Sequence, residues 1–539
     1  MKNIGEVKTK NIYSWLIFGL IILNIVAFIF LANKLYFRID LTEGQKYSIG
    51  KPTVDLLKQL NDPLIIEYYY NDKAKEVSEM ALIIQYIEDM LKEYESAGRG
   101  KVNVLIKEVS YEKKPQETAE LEEQGLQPFS LSESGQTESK SLLGLSGIIL
   151  KYKKDQKVLS AVYSDMGFEF RLDVEIKKLI SSEKESIAIL TASENKNIYK
   201  EYQYVRQVAE KEYSDVRVMD PGTNIPKEVS TIIILGGDTL TDYDIFQIDQ
   251  FLMNGGKAFV ALNGLTVEIQ QQGIFALPSS SKLLTLLESY GIKVNKDLVG
   301  DNDSYNPLPQ RQGLFVQQNR YPIWPKIKST NFNKKNAIVD KLEGLNIFWG
   351  SSIDADDKIK SQVEFLFKTT DKSWVQKQDY KLDIETYKYP MQEGVKSYNL
   401  ACAFSGNLNS FFTGKDVPKN EKNSTVTYEG SRLDKGNTKI VVVANEFFLQ
   451  SDFAGNDELL FLMNSVDWLS KDQSLISIRN KGKFTKPLDK AINQQQTDFF
   501  KTIIIGFTTF FIPVIFIAFG IILNLRRKIR DKKLKESFL

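Results

Sequence analysis

Residues 231–264 read TIIILGGDTLTDYDIFQIDQFLMNGGKAFVALNG. Two apolar runs, TIIIL and KAFVA, flank a stretch whose spacing predicts a helix from Asp244 to Met253. A strand that is apolar at every position has both faces buried, as in a parallel sheet covered by helices on either side. The neighbouring sequence repeats the unit. SIAILTAS (186–193), a helix from Glu201 to Tyr213 and VRVMD (216–220) come before it, and the helix and strand of LLTLLESYGIKV (283–294) come after. A Pro/Gln/Asn-rich stretch over 300–333 reads as an irregular surface excursion. Strands return in NIFWGSS (346–352), VEFLFKT (363–369), NLACAFSG (399–406) and KIVVVANEFF (439–448). The closing helix, ELLFLMNSVDWLS (458–470), sets Leu459, Leu462, Met463, Val466 and Leu469 on one side.

Upstream lies a smaller pattern. PTVDLLKQLN (52–61) predicts a short helix with proline at its first turn, and LIIEYYY (64–70) a strand. EMALIIQYIEDMLKEYESAG (79–98) puts Met80, Ile83, Ile84, Ile87, Leu91 and Tyr94 on one helical face, with Gly98 as its stop. With KVNVLIKEV (101–109) this makes a β-α-β unit of parallel strands. A charged helix at Thr118–Gln124, a hairpin in 146–163 turning at Lys154-Asp155, and a helix from Leu172 to Ser181 complete a β-α-β-α-β-β-α order. That order is thioredoxin-like, without the Cys-x-x-Cys of a redox enzyme.

Two segments, 11–33 and 502–525, carry no charged residue and are long enough to cross a bilayer as helices. The flanking tails are basic, which predicts both ends in the cytoplasm and the acidic middle outside, a two-pass protein of the inner membrane with a periplasmic bulk. The expected division is a tail at 1–12, a transmembrane helix at 13–33, and a thioredoxin-like domain at 34–183. A larger parallel-sheet α/β domain follows at 184–480, then a linker at 481–501, a second transmembrane helix at 502–525 and a basic tail at 526–539. The charge balance argues against nucleic-acid binding.

Chemistry is sparse. The chain has no histidine, which removes the commonest general base, zinc ligand and activator of a serine or cysteine nucleophile. The single cysteine, Cys402, sits in an apolar run and reads as a buried, inert thiol. No G-x-x-x-x-G-K-[ST] loop occurs; GRGK (98–101) lacks the upstream glycine. The acidic clusters Asp297, Asp301, Asp303 and Asp354, Asp356, Asp357 lack the glycine and glutamate of a calcium loop and read as solvated loops. Asn423-Ser424-Thr425 matches a glycosylation acceptor. No metal, cofactor or catalytic set is expected. The one candidate ligand edge is Gly236, Gly237, Asp238 and Thr239, at the carboxyl end of an apolar strand where α/β sheets bind ligands. The alternative is a tight turn leading to a helix capped by Thr241 or Asp242.

The segment FRIDLTEGQKYSIGKPTVDLLKQLNDPLIIEYYY (37–70) resembles the start of the gliding-motility-associated ABC transporter accessory (substrate-binding-like) proteins of the GldG type. Arg38, Asp40, Leu41, Thr42, Tyr47 and Ser48 stand at that family's positions. Residues 236–264, LLESYGIKVNKDLVGD (286–301) and VVVANEFFLQSDFAGNDELLFLMNSVDWLSKDQSLISIRNK (441–481) continue the resemblance over nearly the whole chain. It implies a glutamine-amidotransferase-like (flavodoxin-like) large domain, similar to that of intraflagellar-transport proteins. It also implies a polytopic ABC permease and a cytoplasmic ATP-binding subunit on other chains, with room for several copies of this one in the complex. Tyr36, Phe37, Arg38, Asp40, Leu41, Thr42 and Tyr47 then become candidate partner contacts where the chain leaves the bilayer. The sequence departs from the family at Thr191-Ala192-Ser193-Glu194, where a Gly-His-Gly-Glu-like turn often stands. A Cys-His-Glu amidotransferase triad cannot be assembled without histidine. Three readings remain: a non-catalytic accessory subunit, a free-standing receptor for an envelope polysaccharide or peptide, and a hydrolase that works with carboxylates alone.

Overall fold

A computed structural model describes residues 47–134, 139–165, 167–180, 186–270, 273–312, 315–387, 389–390 and 394–470, with 476, 479, 520, 525, 526 and 529. The chain divides into two units, Met1–Lys481 and Gly482–Leu539. All the elements below belong to the first.

Five strands of the larger sheet run parallel: β5 (Ser186–Ala192), β6 (Asp215–Met219), β7 (Val229–Gly236), β8 (Lys257–Ala261) and β11 (Lys435–Val443). Two more extend one side through antiparallel pairs, β10 (Asn399–Asn409) against β11 and β9 (Val363–Lys368) against β10, so β10 alone runs against the others and the order is β9-β10-β11-β8-β7-β5-β6. The expectation of a purely parallel sheet is corrected here. β10 pairs all nine residues of β11 from Ala401↔Val443 to Asn409↔Lys435, giving a mixed sheet in which the parallel core is extended by an antiparallel edge.

The side chains of each core strand divide between two hydrophobic clusters. Ile187, Ile189, Ile233, Leu235, Phe259, Val441 and Val443 face α4 (Gln203–Glu212) and α7 (Asn456–Leu469). Ala188, Leu190, Ile232, Ile234, Val260, Ile440 and Val442 face α5 (Asp242–Met253) and α6 (Lys282–Ser289). Alternate residues point to opposite faces, so an unbroken apolar run demands cover on both.

The smaller sheet has the order β2-β1-β3-β4, from β1 (Leu64–Asn71), β2 (Val102–Val109), β3 (Ser146–Tyr152) and β4 (Asp155–Leu159). β1 and β2 pair in parallel, as the β-α-β reading requires; β3 pairs antiparallel to β1, and β4 to β3. Its core rests on α1 (Lys51–Lys58), α2 (Ser78–Ala97) and α3 (Phe168–Ile180). The 300–333 stretch is more ordered than its composition predicts: Leu308–Gln312 and Phe315–Asn319 form a hairpin, and Lys326–Lys328 pairs with Gly344–Asn346.

The expected transmembrane helices are a second correction. Among the described residues no helix is long and apolar enough to cross a membrane. The longest described helix, α2, has 20 residues but carries Glu79, Glu88, Asp89, Lys92, Glu93 and Glu95 opposite its buried face. Residues 13–33 lie outside the described residues, as do 502–525 apart from Gly520 and Leu525. The two-pass inner-membrane localisation, with its periplasmic bulk, rested on those helices and is withdrawn with them.

α5 is buried almost all round, although Asp244, Gln247, Asp249 and Gln250 are polar. Asp244 accepts from Gly222 and Thr241 and Gln247 donates to Asn224 and Tyr243, whereas Asp249 and Gln250 draw most of their partners from the irregular segment after β10. Asp249 accepts from Ser410 Oγ (2.6 Å), the Phe411 amide (2.8 Å) and Tyr290 OH (2.8 Å). Gln250 exchanges hydrogen bonds with the backbone of Leu433. The segment 410–434 is thus a strap stitched along the helix. Replacing Asp249 with alanine orphans three buried donors at once. The expected cost is about 3 kcal/mol or more in urea unfolding, and the first proteolytic cut should move into 410–434.

Candidate functional site

β5 is followed by α4 on one face and β7 by α5 on the other, so the chain parts between these neighbouring strands. Ligands of open α/β sheets bind at such a switch point, outside the carboxyl ends of the strands. Polar residues gather there directly after each apolar run: Ser193 after β5, Gly236 to Asp238 at β7, Asn263 after β8, and Asn445 and Glu446 after β11.

Glu446 is the hub. Ser193 donates its hydroxyl proton to Glu446 Oε2 at 2.5 Å, and Lys196 forms an ion pair with Oε1 while lying 4.7 Å over the Phe447 ring. The Glu446 amide donates to Asn263 Oδ1 at 2.8 Å. Ser193 and Glu446 are 253 residues apart, yet both are almost wholly buried. Gly236 makes the approach feasible. Its φ is +82°, and a Cβ there would stand 1.7 Å from Ser193 Oγ and 2.7 Å from Glu446 Oε2. Behind the pair, Tyr202 OH, Asn263 Nδ2 and Gln450 Nε2 are buried, and among the described residues none has a partner at hydrogen-bonding geometry. Burial, reinforced by Glu446, holds the Tyr202 phenol well above its ordinary value, so it keeps its proton.

The predicted ligand edge is partly spent on the fold. Gly237 packs on Ser281, whose hydroxyl donates to its carbonyl at 2.8 Å. The Thr239 amide donates to the Ala192 carbonyl, and its own carbonyl accepts from Lys422 of the strap at 2.7 Å. Thr241, not Asp242, caps α5 through a reciprocal pair with Asp244. Asp238 alone turns its side chain to solvent, accepting from Ser279 Oγ at 3.2 Å. Protein still crowds it: burial, then the Glu446 charge, pushes its carboxyl above the ordinary value, against the pull of Ser279 and Lys196.

Other predicted residues fall elsewhere. Tyr36, Phe37, Arg38, Asp40, Leu41 and Thr42 lie outside the described residues. Tyr47 packs edge-on against Tyr86 at 5.6 Å, on the core of the small sheet. Cys402 is fully buried, and burial pushes its thiol up to about 12. Asp297 and Asp301 are not the solvated residues expected. They are buried staples: Asp297 accepts from the Ser352 amide (2.8 Å) and hydroxyl (2.7 Å), and Asp301 accepts from the Thr370 amide and hydroxyl. Among the described residues no cluster is fit to hold a metal ion.

A cleft of about 820 Å³ opens at the amino ends of β7 and β8, between α5 and the strap. Its amides are already engaged. Gln247 Nε2 donates to Asn224 Oδ1 (2.5 Å) and Tyr243 OH (2.8 Å), and Asn254 Nδ2 donates to the carbonyls of Gln250 (2.8 Å) and Ser431 (2.9 Å). It is the gap beneath the strap, not a set of converging reactive groups.

Residues 184–470, just over half the chain, match the family model of the auxiliary component of an ABC-type uncharacterized transport system. The chain belongs to that family. Its sheet, switch point and Ser193–Lys196–Glu446 hub all fall within the matched region, whereas residues 43–151 match a separate domain of unknown function. An uncharacterized protein of Borreliella burgdorferi is 25% identical over 510 residues, covering 91% of this chain and 94% of that one. Among solved structures, the N-terminal domain of mmIFT52 aligns with a TM-score of 0.31 at 13% identity, over 52% of this chain and 96% of its own. A putative ThuA-like protein from Bacteroides uniformis aligns at 0.28 and 10%, over 55% and 95%. At those scores neither likeness bears on fold or activity.

Two outcomes follow from this geometry. Gly236→Ala should lose about 2 kcal/mol or more of stability, part of which Ser193→Gly should restore by clearing the space. Glu446→Gln removes the charge that raises Asp238, so the Asp238 carboxyl, followed by NMR, should titrate at lower pH than in the parent. An unchanged titration would break the link between the two carboxylates.

Proposed function

We propose that the chain is a non-catalytic accessory subunit of an ABC transporter of the gliding-motility type, working beside a permease and an ATP-binding subunit on other chains. The match of residues 184–470 to the auxiliary family carries this reading. The chain has no phosphate-binding loop, so nucleotide hydrolysis belongs to another subunit. The site supports the same view. Ser193 and Lys196 take up both oxygens of Glu446, so the buried groups at the switch point join strand ends to one another and leave Asp238 and Glu194 as outward-facing carboxylates. A serine whose proton is committed to a carboxylate that a lysine already neutralises lacks a free base, and the chain has no histidine to supply one. The resemblance of residues 37–70 to the gliding-motility accessory proteins supports the finer assignment. By the same resemblance, Arg38 and Asp40 are contact residues for the permease.

Gentle isolation of the full chain from its native cells, with mild detergent to keep a permease intact, should recover a permease and an ATP-binding protein in stoichiometric amounts. Arg38→Ala and Asp40→Ala should reduce that recovery without changing the level of the chain. Recovery of the chain alone would refute the accessory role and favour a free-standing receptor.

A further inference from the structure

Arg479, the Glu212 carboxyl at the end of α4 and the Asp467 carboxyl on α7 meet in the interior of the first unit. One nitrogen, Arg479 Nη2, lies 2.6 Å from Glu212 Oε2 and 2.7 Å from Asp467 Oδ2. Nη1 donates to Asn464 Oδ1 at 2.8 Å, and Tyr213 OH donates to Asp467 Oδ1 at 2.6 Å. The guanidinium stacks 4.6 Å over the ring of Phe170 on α3, so Arg479 ties together three helices drawn from both sheets. Arg479 is 8% exposed, Asp467 1%, and the Glu212 side chain 11%. Two carboxylates on one guanidinium leave a net negative charge in a buried site, and a buried unbalanced charge is costly unless a proton neutralises it.

We propose that this cluster is a proton-dependent clamp, in which one proton on the Glu212 carboxyl keeps Arg479 fastened to α3, α4 and α7, and its release loosens that hold. Burial pushes the Glu212 carboxyl up to about 7; Arg479 opposes the shift, Asp467 adds to it, and Lys211 draws it slightly down. The charged groups facing the cluster from other elements are committed elsewhere. Lys178 on α3 pairs with Glu175 at 3.0 Å and donates to the Lys211 carbonyl at 2.6 Å, and Lys439 of β11 donates to the Trp468 carbonyl at 3.0 Å. Tyr213 is held well above its usual value, first by burial and then by Asp467, and stays a neutral donor. Arg479 remains charged, because the two carboxylates outweigh the effect of burial. The folded chain keeps the Glu212 proton up to about pH 7, whereas an unfolded chain releases it near the ordinary 4.5. The stability drawn from the clamp is therefore full at low pH and lost as pH rises through 7.

Hydrogen exchange of the full chain, corrected for the intrinsic pH dependence of exchange, reads the clamp in peptides containing Glu212 and Tyr213 at the end of α4 and Asp467 on α7. The protonated fraction of such a carboxyl falls from about 90% at pH 6 to about 10% at pH 8, so protection there should drop several-fold over that interval. Glu212→Gln, which is neutral at every pH, should stay protected throughout. Asp467→Asn removes the surplus charge from the other side and should flatten the profile too, which keeps the test open if one variant fails to fold. A flat profile in the parent, or the same drop in a folded neutral variant, would overturn the clamp.

Discussion

β5, β7, β8 and β11 carry isoleucine, valine, leucine, phenylalanine and alanine at successive positions, so each strand must be covered on two sides at once. That double burial is the constraint on which the large domain depends. It forces α4 and α7 onto one face and α5 and α6 onto the other, and it leaves polar groups nowhere to go within the sheet except past the strand ends. Because the helices after β5 and β7 diverge, the polar residues that end these strands are crowded into one crevice. The Glu446 hub follows from the layering of the sheet.

The same pressure explains where buried polarity is tolerated. A buried carboxylate or amide is stable only when its hydrogen bonds are made inside the protein. Asp249 and Gln250 are fully buried on α5, and the strap over 410–434 supplies most of their partners. Asp297 and Asp301 play the reverse part, accepting from loops that would otherwise carry unpaired amides. Such residues look like surface charges when read along the chain. They become structural when a distant segment folds over them.

Much of the α/β pattern was legible from periodicity, because an apolar run of strand length between amphipathic helices has few other meanings. The parallel pairing of β1 and β2 followed from the length of their connection. The antiparallel edge of the large sheet was not legible, since NLACAFSG and KIVVVANEFF are as apolar as their parallel neighbours and direction leaves no mark on composition. The chargeless segments 11–33 and 502–525 lie almost wholly outside the described residues, and among those residues no helix is long and apolar enough to cross a membrane. At the site, Gly236 to Thr239 was located by its place after a strand. Of its partners, Ser193 stood in the turn noted only for departing from the family, and Lys196 and Glu446 were missed, although both follow an apolar run closely enough to have been noticed.

The sequence by itself determined which segments must be buried and at what period, and it excluded histidine chemistry, intrachain disulfides and a nucleotide-binding loop, because these depend on residue type and near-neighbour spacing alone. Tertiary structure decided the rest: that Ser193 meets Glu446 across 253 residues, that the strap seals α5, and that Glu212 and Asp467 share one guanidinium. Hydrogen bonds and ion pairs act over a few ångströms, and which distant residues come that close is settled only by how the layers pack.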